Sequence, residues 1–237
     1  MKTVLIALVL LPFGAGPRAL AQDKQEAPAG FTPLFNGKDL SGWRAPEGDN
    51  GHWKVVDGVI DYDGKSEAKG EKHLWTEKTF ADFTLRLEWR FPDKPVPTDY
   101  PVFDADGNEV KGPDGKVKTE RMLEAGDSGV YLRGSTRFQA NLFCYPCGSG
   151  EFWQIRSNPK LPLEVRRGVT PKKRADKPPG EWNAMQVAMK GDRVTVLLNG
   201  EEVISNALLP AVPEKGPVGF QHEHGRVQFR NIFIKEP

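Results

Sequence analysis

The chain is poor in cysteine, histidine and tyrosine. Its 237 residues hold two cysteines, four histidines and four tyrosines. Both thiols, Cys144 and Cys147, fall in FCYPCGSG. A single C-x-x-C is half of a tetrathiolate zinc site, and no other cysteine exists to complete it. For an exported chain, a local disulfide and two free thiols stay equally open. A redox role is disfavoured, because the pair precedes Gly-Ser-Gly instead of opening a helix. An excess of charge is missing too: 33 Lys and Arg stand against 32 Asp and Glu. That balance excludes a surface built for nonspecific attraction to nucleic acid. The locally basic VRRGVTPKKRADK is broken by Gly and Pro and reads as a solvated loop, with an acidic glycan as the alternative contact.

Long hydrophobic runs are absent except for VLIALVLLPF near the start, which is too short to span a bilayer. Lys2 precedes it and Ala19-Leu20-Ala21 follows it, the pattern of a signal peptide over residues 1–21 cleaved after Ala21. Position 22 is Gln, so no lipid anchor is expected. Residues 22–30 read as a linker, and the expected location is periplasmic or secreted, with no membrane span. The chain also lacks a Walker loop, a dinucleotide fingerprint and a G-x-S-x-G elbow. It has no E-x-D-x-E or E-x-D-x-x-E strand of the laminarinase-type sandwich glycosidases. Nothing announces the close carboxylate pair that a retaining glycosidase needs.

What is present is alternation. In ADFTLRLEWRF, Phe83, Leu85, Leu87, Trp89 and Phe91 face one way, while Thr84, Arg86, Glu88 and Arg90 face the other. SGVYLRG and RFQANLF alternate likewise. Asp57-Gly58 and Asn199-Gly200 are two-residue hairpin turns between apolar runs. No segment keeps a helical period. Short strands between Gly and Pro turns predict an all-β sandwich of two antiparallel sheets, with Phe83, Leu85, Leu87, Val130, Leu132, Val194, Val196 and Phe229 between them. Two long interruptions, Pro92 to Gly126 and Tyr145 to Gly180, are of a length often tied to function.

Strand phase places Glu88, Arg90, Tyr131, Arg133, Gln139, Asn141 and Gln221 on outward positions. Amides, a guanidinium, a phenol and a carboxylate on neighbouring strands suit a polyhydroxylated ligand. An ordinary polar outer face of a half-exposed sheet is the plain alternative. An outward Arg133 would contribute to binding more than to the core. His222 and His224, two apart, would project to one side if the strand stays regular, with Glu223 on the other. With Glu88 they could hold a divalent metal, or act as a base and an orienting group. Gln221 and His224 differ in phase, so both reach one face only across a bulge. His52 and His73 read as structural or exposed, and DADGNE as a plain turn.

FTPLFNGKDLSGW, FADFTLRLEWRF, DSGVYLRG, GEWNAMQVAMKGDRVTVLLNGEEVI and GPVGFQHEHGRVQFRNIFIKE, taken in order, resemble the 3-keto-disaccharide hydrolase domain family over residues 31–236. The resemblance implies a concanavalin A-like jelly roll, export, and action on glycosides oxidised at C3. Family members commonly carry Glu-x-Gln on the strand that reads RFQANLF here, so Gln139 and Asn141 are a departure. A C3 ketone acidifies the C2 proton, so a base can form an enediolate, the C1 group can leave, and water can add back. On this reading Glu88, His222 or His224 would be the base. Arg133, Gln139, Asn141 and Gln221 would position hydroxyls and the oxyanion, with Tyr131 and Arg90 beside them. No cofactor is certain, although a divalent metal could replace some donors. The alternative function is a noncatalytic carbohydrate-binding module.

Overall fold

The computed structural model describes residues 26–104 and 106–237. The expected signal peptide and residues 22–25 of the expected linker lie outside the described residues. The chain forms two antiparallel sheets packed face to face, as the alternation predicts. One has eight strands. Glu201–Leu208, Arg193–Leu198, Asn183–Lys190, Phe83–Arg90, Val227–Lys235, Val59–Tyr62 and Trp53–Val56 lie side by side in that order, and Thr32–Pro33 also pairs with Val227–Lys235. The other has five strands, in the order Ser135–Leu142, Ser128–Leu132, Gly216–Phe220, Leu74–Phe80, Trp43–Arg44.

The sheets meet through the apolar stripe of each strand. All eight expected core residues are buried. Trp43 stacks on Phe220 with ring centroids 4.9 Å apart, and Phe220 stacks on Phe229 at 4.0 Å. This column of rings crosses from one sheet to the other and adds oriented aromatic contact to plain area burial. The two expected turns have the left-handed backbone of type I′ hairpins: Asp57 and Gly58 at φ 50° and 79°, Asn199 and Gly200 at 52° and 85°.

A third turn of this kind was not expected. Arg133 and Gly134 have φ 50° and 73°, and Leu132 pairs with Ser135 across them. Arg133 is therefore a turn residue, not the last outward position of a strand. Its guanidinium folds back and donates to the carbonyls of Ala81, Gly191 and Pro213 at 2.7–3.0 Å, and to the Asp82 carboxylate at 3.1 Å. Buried and fully engaged, it clamps three loops together.

The first long interruption is a two-stranded arm, Val96–Pro101 against Thr119–Glu124. At its tip Asp104 accepts the amides of Asp106 and Asn108 at 2.9 Å, the plain turn expected of DADGNE. The second interruption contains two short helices, Trp153–Arg156 and Leu163–Gly168, which no helical period foretold. Its basic residues bind nearby acceptors: Arg166 donates to the Arg156 carbonyl, Arg167 pairs with Asp106, Lys173 with Glu201 and Arg174 with Glu120. Cys144 and Cys147 are both free, and burial pushes both thiols up, Cys144 to about 11. Such thiols are protonated at neutral pH and poor nucleophiles. Among the described residues no helix is long and apolar enough to cross a membrane.

Candidate active site

The outer face of the five-stranded sheet carries a polar cleft. Its floor is one continuous row of paired residues: Gln139 opposite Tyr131, Tyr131 opposite Gly219, Gly219 opposite Trp75, Trp75 opposite Arg44. Pairing across antiparallel strands puts all five on the same face. Gly219 has to lack a side chain, because a Cβ there would collide with the Trp75 indole. Trp75 lies over it and stacks on Tyr131, ring centroids 5.4 Å apart. A row further on, Asn141 pairs with Gly129, whose missing Cβ admits the Gln139 amide. That amide donates to the Gln221 carbonyl oxygen. Gln221 is fixed in turn, since its backbone N–H donates to the Gly129 carbonyl at 2.9 Å.

Above this floor stands Asp127, the residue before strand Ser128–Leu132. Its backbone N–H donates to the His224 carbonyl at 3.0 Å, and Ser128 Oγ donates to the Gln221 carbonyl at 3.0 Å. These two bonds lay the segment after Phe220 along the start of the strand. Asp127 Oδ1 is sealed from solvent without a hydrogen-bond partner among the described residues. Burial, reinforced by the charge of Glu223, pushes its carboxyl up to about 7, and His224 opposes the shift. With Tyr131, Gln139, Asn141, Gln221 and Glu223 it lines a compartment of about 270 Å³, and Trp153 stands 49% exposed at its rim. Burial also pushes the phenols of Tyr131 and Tyr145 up, so both remain donors.

Of the residues singled out by strand phase, the structure brings Tyr131, Gln139, Asn141 and Gln221 together here. It separates the others. Glu88 and Arg90 do point outward, but from the eight-stranded sheet, on the far side of the sandwich. Glu88 accepts from Arg230 at 2.7 Å, and Arg90 donates to Gln228 at 2.8 Å with its guanidinium over Trp182. Arg133 is the buried clamp described above. The expected convergence of Glu88, Arg133 and His224 with the three amides is therefore corrected.

The two C-terminal histidines also depart from expectation. The side-chain alternation carries on past the strand end at Phe220, so Gln221 and Glu223 share the cleft while His222 and His224 turn away from it, and the bulge that would bring His224 to that face is absent. His222 Nδ1 bonds the Tyr62 hydroxyl, and burial lowers its pKa. His224 Nε2 meets Glu124 Oε1 at 2.6 Å, at the foot of the arm. His222, His224 and Glu88 thus do not form a metal-ligand set. Among the described residues no group of three or more His, Cys, Asp and Glu side chains could hold an ion. His52 pairs with Asp63 at 2.9 Å, a structural place as expected, but His73 sits at the cleft, its ring 4.7 Å from that of Tyr131.

A family model described as the 3-keto-alpha-glucoside-1,2-lyase-like domain matches residues 30–235. The chain belongs to this family. Three crystal structures from Parabacteroides distasonis, each provisionally designated a glycosyl hydrolase, share the fold. One is 22% identical with a TM-score of 0.56, over 88% of this chain and 94% of that one. A second is 23% identical with a TM-score of 0.57, over 89% and 85%. The third is 21% identical with a TM-score of 0.52, over 87% and 99%. No match was found among curated proteins. Gln139 and Asn141 leave two amides on the floor, and the carboxylates beside them come from Asp127 and Glu223 on the flanking loops.

Proposed function

We propose that the chain is an exported enzyme that cleaves the glycosidic bond of 3-keto glycosides, with Asp127 as the base. The observation that carries this reading is the half-buried Asp127, whose Oδ1 is sealed without a partner and whose carboxyl is raised to about 7, standing over a floor of amides and phenols. A carboxylate whose pKa lies near the working pH is suited to take and return a proton. A surface that only binds sugar has no use for a carboxyl held at such cost.

The ionised Asp127 takes the proton from C2, and the electron pair of that C–H bond moves toward the C3 carbonyl. Gln139, Asn141, Gln221 and the Tyr131 hydroxyl supply neutral donors for the oxygen that becomes negative. The C1–O bond then breaks as the C3 carbonyl re-forms and a double bond forms between C1 and C2. The leaving oxygen collects a proton. Water adds at C1, C2 regains a proton, and the net change is hydrolysis. Family membership supports the substrate class.

The test is turnover of a 3-keto disaccharide in deuterated water. Deuterium at C2 of the released keto sugar, with little cleavage of the parent disaccharide, is expected. Equal rates on both sugars without C2 exchange would exclude the mechanism.

A further inference from the structure

A second compartment of about 720 Å³ continues the cleft on the other side of Tyr131. Trp75 and His73 line it, and both rings lie against Tyr131, which lines the first compartment. The first is the smaller, about 270 Å³. The two therefore meet end to end over the Tyr131–Trp75 floor, as a cleft for a ligand of at least two parts.

The chemistry of the second compartment is polar and nearly neutral. Arg44 and Lys69 stand against Glu47, Glu67 and Glu71, with Asn50 between the loops. Asn50 donates to Glu67 at 2.6 Å, and the Trp75 indole donates to Glu71. Mixed donors and acceptors around an indole suit hydroxyls. The three carboxylates disfavour a phosphate or a uronate, and the polar wall disfavours a bare hydrocarbon.

His73 stands where the compartments join. The backbone N–H of His222 donates to His73 Nδ1 at 3.0 Å. Nδ1 is thereby the acceptor, and the network assigns the ring proton to Nε2. Burial holds the ring neutral, and Glu71, His222 and Glu223 are the titratable groups around it. No described residue accepts the Nε2–H.

We infer that this second compartment is the subsite for the leaving half of the substrate, a neutral polyhydroxylated ring, and that His73 Nε2–H donates to an oxygen of that ring at the junction. The inference rests on the function proposed above and says which substrates that site prefers. His73 is neutral throughout, so it gives a fixed hydrogen bond and no proton.

Two replacements separate the two nitrogens of His73. In His73→Asn the side-chain oxygen can still accept from His222, but nothing reaches the Nε2 position. In His73→Gln the amide nitrogen can reach that position, and the local acceptor is lost. The substrates are a neutral 3-keto disaccharide and methyl 3-keto-glucoside, which has no second ring. His73→Asn should lower kcat/KM on the disaccharide about 10-fold, the worth of one good hydrogen bond, while His73→Gln stays within about 3-fold of wild type. On the methyl glycoside the two variants should not differ from each other. Glu47→Trp, a bulky residue at an exposed position of the cavity, should raise KM for the disaccharide alone. Equal losses in both His73 variants on the disaccharide, or a loss in His73→Asn that is equal on both substrates, would overturn the subsite. A wild type inactive on both keto substrates would sink the function reading instead. Calorimetric binding of the unoxidised disaccharide would then decide the subsite by itself: weakening by His73→Asn and Glu47→Trp supports it, and no weakening overturns it.

Discussion

The backbone N–H of Asp127 is hydrogen-bonded to the carbonyl of His224 at 3.0 Å. One bond joins the carboxylate-bearing loop to the segment that carries Gln221 and Glu223. The polar side chains of the cleft are thus set by backbone pairing on three neighbouring strands and one cross-link above them. His224 contributes its carbonyl to this link and its imidazole to Glu124 on the arm.

Asp127→Asn should abolish most turnover. If Asp127 is the base, kcat on a 3-keto disaccharide falls by about 10²-fold or more. In that role the active form is the carboxylate, so kcat/KM should rise with pH through about 7 and be lost below it. Glu223, Glu151 and Glu124 hold that midpoint up, and His224 holds it down. A flat profile between pH 5 and pH 9 would remove Asp127 from the role.

The same substitution should stabilise the fold at alkaline pH. The folded carboxyl titrates near 7 and the unfolded one near 3.9, so the native state binds the extra proton between them. Stability from this group is present below the unfolded pKa and is lost as pH rises through the folded one. Asp127→Asn removes the loss. Allowing for partial solvent screening, denaturant titration should show a gain of about 1–3 kcal/mol at pH 8 that disappears by pH 4.

Arg133→Ala should destabilise without touching chemistry. It leaves three carbonyls and Asp82 without their donor, an expected cost of about 2–4 kcal/mol in urea titration. Activity per folded molecule should be unchanged. Glu88→Gln should be nearly silent in both measurements, within about 1 kcal/mol, because its partner Arg230 lies at a partly exposed surface.

Strand phase identified the core and the two Asx-Gly turns because period-2 burial and a left-handed turn are both local properties. It also put Tyr131, Gln139, Asn141 and Gln221 outward. Phase cannot say which of two outward faces a residue occupies, and Glu88 failed on that point: its alternation is right, but its strand belongs to the other sheet. Arg133 failed because a strand end is invisible in an unbroken alternation; the signal available was Gly134, one residue on. His224 reaches the Gln221 face only across a bulge, and no such bulge forms: Gln221 and Glu223 keep one side, and the two histidines turn away from it. Asp127 carries no periodic signal, since its burial comes from the His224 segment folding over it. The only cue was its place immediately before an alternating run.

Gly219→Ala should leave a cleft that no longer works. The added methyl meets the Trp75 ring, which must lift from the floor. Binding of a disaccharide should fall by about 10-fold or more in calorimetry. Overpacking of this kind should also cost about 1–3 kcal/mol of stability. Trp75 fluorescence matching wild type, with unchanged affinity, would contradict the floor described here.

Gly129 and Gly219 make the cleft by subtraction. Each is a point in the sheet where a neighbour lies down across bare backbone: the Gln139 amide over Gly129, the Trp75 indole over Gly219. Ordinary strands raise side chains that would fill the trough. Here the depth of the binding surface is encoded by two missing methyl groups. One carbon atom added at either position acts on the shape of the cleft directly and on the sandwich core beneath it only at second hand.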